Sequence, residues 1–440
     1  MLDNCGAGAY SYAKVAGKAK LLEHLHSDYT EPIRDPIWRH IYLSRQLAAI
    51  VSSAAFQKLA RIKQLGPTFQ VYPGATHTRF AHSLGVFHLA KRLIIAILEQ
   101  PSAPDLSGEG VRAFLCAALL HDVGHFPFAH SLKELPLKEH EALTADLVAE
   151  EPLGGLIREA TAAPPELVGA IVDKKRSFAG RESEVQYFRH LLSGVLDPDK
   201  LDYLNRDAYF CGVPYGVQDA DFVFDKIRPH PTRGISIDEQ GIGAVENILF
   251  SKYLMYRSVY WHKTVRIATA MIKKAMYIAL RDRVIEPGAM YRIDDEEFAR
   301  FADLSFPAAA LIRRVLDRRL YKCIAEEPFD AELPGHRALL DLGERERRES
   351  ELGRELSHMC GVSAGSESVI IDIPEPISFE TDLEVSGGSG LRAFSMSGSV
   401  FDGSVVDRFS RALRKLRIIV PPELAPKISK SAKILEWIRR

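Results

Sequence analysis

The 440-residue chain contains only five cysteines, Cys5, Cys116, Cys211, Cys323 and Cys360, widely scattered and with no CxxC pair. That spacing argues against a disulfide framework and a thiolate zinc site, and it fits a reducing compartment. An excess of one charge is also missing, since 57 Lys and Arg face 58 Asp and Glu for a formal net charge of −1. A dedicated nucleic-acid or anionic-membrane binder would need a large positive excess, so only local basic patches remain open to such partners. No run approaches about 20 apolar residues, and the opening MLDNCGAGAYSYAKVAGKAK lacks the apolar core of a signal peptide. The expectation is a cytoplasmic chain that does not span a membrane.

What is present is an ordinary globular composition, 46% hydrophobic and 26% charged, over a length that allows about two to three domains of roughly 100–200 residues. Helical periodicity fills most of the first two thirds. The segment Ser83–Glu99 repeats apolar residues at three-and-four spacing, and Ala113–His121 is apolar on nearly every side, which predicts a helix buried in the centre of a bundle. Ser183–Val195, Val245–Leu280 and Asp295–Arg319 also read as helical, and Arg228–Gly243 contains a stretch fit for a hairpin. From about Asp294 the character changes. A charged run, Gly343–Glu355, precedes SVIIDI at Ser368–Ile373 and LRIIV at Leu416–Val420, both strand-like, while Ser386–Gly390 (SGGSG) reads as a flexible loop. The fold expected is mainly α, a helical-bundle core at 35–293 after an N-terminal segment at 1–34, with a smaller mixed α/β domain at 294–440. Its last 33 residues hold ten Lys or Arg against two acids, either a solvated helix face or a surface for an anionic partner.

The chemistry concentrates in a few short runs. His82 in HTRFAHSLG, His121 and Asp122 in LLHDVGH, and Asp199 in LDPDKLDYLNRD are four potential metal ligands, two imidazoles and two carboxylates. Such a mixed nitrogen and oxygen set suits Mn, Fe, Zn, Ni or Mg. A single buried histidine is commonly a satisfied core residue, but Arg79–His140 alone holds His82, His88, His121, His125, His130 and His140, six of the chain's 15. So many desolvated titratable groups are costly without a metal or ligand. His121 and His125 share a face if their helix continues, and Asp199, Tyr203 and Asp207 lie at four-residue spacing on another.

These runs, with RIKQLG around Gln64 and Leu65, VYPGATHTRFAHSLGV, His140–Glu141 and YRSVYWHK, resemble the HD-domain metal-dependent phosphohydrolases, in particular the deoxynucleoside triphosphate triphosphohydrolase branch, over about Asp35–Lys274. The resemblance implies an HD-domain bundle, working as a homo-dimer or homo-tetramer, with one divalent metal per subunit (Mn, Fe, Zn, Ni, Co or Mg) held by His82, His121, Asp122 and Asp199. It implies splitting of a dNTP at the α-phosphorus into deoxynucleoside and tripolyphosphate. His140 would be the general acid beside Glu141, with His125 and His130 near the α-phosphate and sugar. Arg79, Lys200, Lys252, Arg257 and Lys263 would supply phosphate cations. Gln64 and Asp207 would bind the 3′-hydroxyl, Tyr203 and Leu65 would crowd the 2′ position, and Tyr260 would pack beside the nucleotide.

Departures from the family pattern matter. Where relatives carry an acid that orients the catalytic histidine, this chain has Lys133, with Glu134 next to it as a possible substitute. The positions that bind an activating nucleotide in relatives hold Glu31, Ser52 and Ala60 here, with Gln57 retained, which predicts no GTP activation of the vertebrate type. Two alternatives stay open: an HD-type nucleotidase or phosphodiesterase acting on other nucleotides, and a nucleotide- or nucleic-acid-binding regulator with little turnover.

Overall fold

The structure is a computed structural model that describes residues 17–440 except 231, 362–364, 366, 389, 429–433, 437–438 and 440. Most of the opening segment read for a leader, together with Lys430, Lys433 and Arg440 of the basic tail, lies outside the described residues.

The fold is mainly helical with a small C-terminal α/β region. Seven helices carry the argument: α1 (Arg79–Leu98), α2 (Gly108–Leu120), α3 (His140–Leu147), α4 (Pro198–Cys211), α5 (Ile242–Met255), α6 (Lys263–Arg281) and α7 (Leu342–Cys360). Helix α1 packs against both α2 and α4, and α4 also meets α5. Every residue of α2 from Val111 to Leu120 except Arg112 is buried, so the central apolar helix expected from the sequence is present. Helix α1 is long and apolar enough by composition to cross a bilayer, yet two thirds of its most apolar stretch is buried within the bundle. Burial of that stretch against neighbouring helices is the ordinary role of such a segment.

The strands form three small sheets. A hairpin the sequence did not signal joins β1 (Glu31–Asp35) to β2 (Arg39–Leu43). The expected hairpin is β3 (Ile227–His230) with β4 (Gly234–Asp238). Strand β5 (Lys322–Pro328) and β6 (Ile370–Asp372) flank β9 (Lys415–Val420) in a sheet of order β5-β9-β6, backed by α7. Ser386, Gly387 and Gly390, expected to lie in a flexible loop, are instead paired strand residues, for β7 (Glu384–Gly387) pairs antiparallel with β8 (Gly390–Ala393). Strand β7 pairs in parallel with β4, which ties the tail to the bundle.

Two helical expectations are corrected. Val245–Leu280 is not continuous: α5 runs into a π-helical turn at Tyr256–Tyr260, the chain breaks at Trp261, and His262 caps α6 by accepting from the Thr264 amide. Asp295–Arg319 likewise divides into Asp295–Ala299, a tighter turn at Arg300–Asp303, and Ala309–Leu316. The first break places Tyr256, Tyr260 and Trp261 on the cavity described next, and periodicity alone registers neither break.

Candidate active site

Helix α2 ends at Leu120, with His121 as its cap, and the chain turns sharply through Val123–Gly124. His121 and His125 therefore do not share one helical face, because the helix stops between them. The turn is clamped to α3: Thr144 Oγ1 donates to the His121 carbonyl at 2.9 Å and accepts from the Gly124 amide at 3.0 Å. A Cβ on Gly124 would lie 2.3 Å from the His140 carbonyl oxygen, so the approach of α3 requires glycine there.

Asp199 lies in the first turn of α4, which Asp197 caps by accepting from the Lys200 amide at 2.7 Å and Pro198 starts. His82 projects from α1. His82 Nε2 lies 3.0 Å from Asp199 Oδ1, His121 Nε2 lies 3.9 Å from the same oxygen, and His121 Nε2 lies 3.4 Å from Asp122 Oδ1. Ligands about 2.1 Å from one ion stand roughly 3–4 Å apart, and the donor atoms of His82, His121 and Asp122 lie within 4.8 Å of one another, with Asp199 Oδ1 beside both imidazoles. The outer nitrogens are already committed. His82 Nδ1 meets Asp202 Oδ2 at 2.8 Å and His121 Nδ1 meets the Ala118 carbonyl at 2.9 Å, which leaves both Nε2 atoms facing inward, and His121 Nε2 is buried without a hydrogen-bond partner. Burial alone depresses the His82 imidazolium, but hydrogen bonds to Asp199 and Asp202 override it and raise the group to about 10. The donor set thus fits a divalent cation.

Asp202 anchors this side. It accepts from Trp38 Nε1 at 2.6 Å and from Arg206 Nε and Nη2 at 2.8 Å each, and Arg206 also donates to Asp35 at 2.8 Å. Gly85 makes room, since a Cβ there would sit 1.8 Å from Asp202 Oδ1. Neither Asp202 nor Arg206 was singled out from the sequence. The signal available was their spacing, three and seven residues after Asp199 on α4.

Beside the metal set stand three imidazoles. His125 Nε2 and His130 Nε2 are 3.1 Å apart, and the His140 ring centroid lies 3.8 Å from that of His125 and 5.2 Å from that of His130. Burial holds all three below the usual histidine range, His130 at about 3, with Arg79, which donates to Asp122 at 2.6 Å, adding to the effect on each. Glu141 Oε2 is 3.2 Å from His140 Nδ1, but it makes no hydrogen bond, and burial raises its carboxyl. Glu134 does not replace the missing acid. Its carboxylate is taken by Lys273 at 2.7 Å and Arg345 at 2.9 Å, off the cavity lining, whereas Lys133 does line it.

These groups open onto a cavity of about 430 Å³. Its walls include Gln64, Leu65, Arg79, His82, His121, Asp122, His130, His140, Asp199, Tyr203, Asp207 and Tyr260, with His125 fully buried behind. At the far end Tyr260 donates to Asp207 Oδ2 at 2.6 Å, and His77 Nε2 meets Asp207 Oδ1 at 2.8 Å. His77 was missed, although it lies inside a run singled out for its neighbours. Gln64 Oε1 is buried and unpartnered. Four expected cations do not line the cavity. Lys200 and Lys252 are engaged with Glu380, Arg257 donates to the Tyr253 hydroxyl at 2.6 Å, and the half-exposed Lys263 stands 3.9 Å from Glu326. Lys63, Lys133 and Arg266 line it instead.

Residues 79–185 match the HD domain family, and residues 229–435 match the HD associated region. The chain belongs to the HD-domain phosphohydrolase superfamily. It is 34% identical to the uncharacterized protein YwfO of Bacillus subtilis over 56% of this chain and 55% of that one. It is 27% identical to the deoxynucleoside triphosphate triphosphohydrolase SAMHD1 of Danio rerio over 76% of this chain and 62% of the relative. This HD-domain chain therefore spans a little over half the length of the curated relatives it matches. The crystal structure of a hypothetical protein from Aquifex aeolicus superposes with a TM-score of 0.69 at 25% identity, covering 90% of this chain and 98% of the other.

Proposed function

We propose that the chain hydrolyses deoxynucleoside triphosphates to deoxynucleoside and tripolyphosphate in this cavity. The observation that carries the reading is that His82, His121 and Asp122, a group able to hold a metal ion, share one 430 Å³ space with Asp199, Tyr260 and the Asp207 carboxylate, a space also lined by Tyr203 and Leu65. A divalent ion held by His82, His121, Asp122 and Asp199 would polarise the phosphate and its attacking water. Arg79 and Lys133 place positive charge beside the phosphates. His77 and Tyr260 fix the Asp207 carboxylate so that it accepts from a sugar hydroxyl. The Tyr203 ring crowds the position an added 2′-hydroxyl would take and offers it poor hydrogen bonding. His130 and His140, held below the usual histidine range by burial, gain protons as a polyanion approaches, and His140 can then donate to the departing 5′-oxygen. Its proton is less well directed than it would be with an acid in place of Lys133. The 27% identity with a named triphosphohydrolase supports the same substrate class. The chain is proposed to work in the cytoplasm as a homo-oligomer.

The test is to incubate the protein with four dNTPs and four NTPs in Mn and in Mg and to separate the products by ion exchange. Deoxynucleoside plus tripolyphosphate is expected, with turnover and bound metal both lost in His121→Ala by at least about a thousandfold in rate. Mono- or diphosphate products would indicate a different phosphohydrolase. Metal-loaded protein with no turnover would indicate a nucleotide-binding regulator.

A further inference from the structure

Between β6 and β7 the chain runs through Pro374-Glu-Pro-Ile-Ser-Phe-Glu380 to Leu383 with no helix or strand, and Glu375, Pro376 and Ile377 form part of the cavity wall. Two carboxylates on this segment reach four cations. Glu380 Oε2 lies 3.3 Å from both Lys200 Nζ and Lys252 Nζ, and Glu375 lies 3.5 Å from Lys273 Nζ and 3.8 Å from Arg266 Nη1. The side chains of Lys200, Lys252, Arg266 and Lys273 are only 12, 8, 5 and 7% exposed, whereas Glu375 and Glu380 are 25 and 43% exposed. Cations built into helices thus meet acids carried on an irregular outer segment.

The acids are also dispensable to most of these cations. Lys200 keeps Asp197 at 2.8 Å, Arg266 keeps Asp372 at 2.5 Å, and Lys273 keeps Glu134 at 2.7 Å, all from other elements of the fold. Lys252 relies on the segment, through Glu380 and the Ser378 carbonyl at 2.7 Å. Glu375 is loosely held, for its Oε1 is buried with no hydrogen-bond partner. Removing the segment would leave a positive, preformed surface at the cavity edge and would strand one buried ammonium, which an incoming anion can pair.

We propose that Glu375–Glu380 is an internal anionic strap: its two carboxylates occupy the cationic edge of the cavity until a condensed phosphate displaces them and takes Lys200, Lys252 and Arg266. The proposal rests on reading the cavity as a polyphosphate site and adds that the chain carries its own competitor there. Phe379, buried in the core, is the pivot from which the acids lift. The strap explains why two cations expected to touch substrate are found pointing at a carboxylate instead.

The probe is inorganic tripolyphosphate added to the full chain, with hydrogen exchange followed by mass spectrometry across residues 375–383. Exchange in the strap is expected to rise several-fold on saturation, and this arm needs no substitution. In parallel, Glu375→Gln with Glu380→Gln, checked for native melting, is expected to bind tripolyphosphate at least tenfold more tightly by calorimetry. A merely structural strap predicts the opposite: slower or unchanged exchange and affinity no higher than that of the parent chain. Either of those results, or no binding of tripolyphosphate to either protein, overturns the proposal. The product assay separates the two readings. Hydrolysis of dNTPs with an unresponsive strap sinks the strap alone, and strap release without nucleotide turnover sinks the substrate assignment alone.

Discussion

The two sides of the cavity solve one electrostatic problem differently. On the metal side, Asp202 is fixed by His82, Trp38 and Arg206, all in hydrogen bonds of 2.6–2.8 Å and all borne on regular elements or a tight turn. On the cationic side, Glu375 and Glu380 sit on a segment without secondary structure, at 3.3–3.8 Å from their partners. The first arrangement holds ligand geometry constant, as a metal requires. The second neutralises charge without fixing geometry, which suits a site whose occupant must change.

That contrast can be broken most directly at Asp202. Asp202→Ala leaves Arg206 buried with only Asp35, so a stability loss of about 3 kcal/mol is expected in denaturant titration. Metal affinity should fall about 10- to 100-fold as His82 loses its orienting partner. Unchanged metal affinity would show that the rigid side is not needed for ligation. Acid provides the next lever, away from the ligands. Burial and the neighbouring Arg92 and Lys91 lower His88, which stacks on Trp38, to about 4. Its folded pKa is below the unfolded value of about 6.5, so its contribution is complete above pH 6.5 and lost as pH falls toward 4. The expected cost is about 3 kcal/mol by pH 4, read as a fall in Tm that His88→Gln diminishes. A smaller effect is expected at the sugar end. Tyr203→Ala should reduce discrimination between dATP and ATP about tenfold in kcat/KM, and an unchanged ratio would remove Tyr203 from the gate. The smallest shift belongs to the strap itself: Glu375→Gln with Glu380→Gln should cost about 1 kcal/mol, because Lys200, Arg266 and Lys273 keep other acids and Lys252 keeps the Ser378 carbonyl. A loss as large as that at Asp202 would erase the distinction between the two sides.

Much of the core was legible because its signals are local. Helix α2 is apolar all round and stops at His121-Asp122, and the candidate ligands fall within short runs whose residue types are rarely buried together without purpose. The hairpins at β1–β2 and β7–β8 were not legible, since strands of four or five residues with exposed faces look like loops until their partners are known. His77, Asp202 and Arg206 escaped for a related reason. Each is an ordinary polar residue whose role is defined by a partner more than 100 positions away: His77 with Asp207, Asp202 with His82, and Arg206 with Asp35.

The sequence by itself determined the chemistry available to this protein: imidazoles and carboxylates able to hold a hard metal ion, a dense group of histidines, and the helical periods that bury them. Tertiary structure alone decided which charges face the cavity. Lys133 and Arg266 line it while Lys200 and Lys252 turn to Glu380, and Glu134 is spent on Lys273 and Arg345. The physical reason is that a ligand's identity is a property of the residue, whereas a buried charge pairs with whichever opposite charge the fold brings within reach.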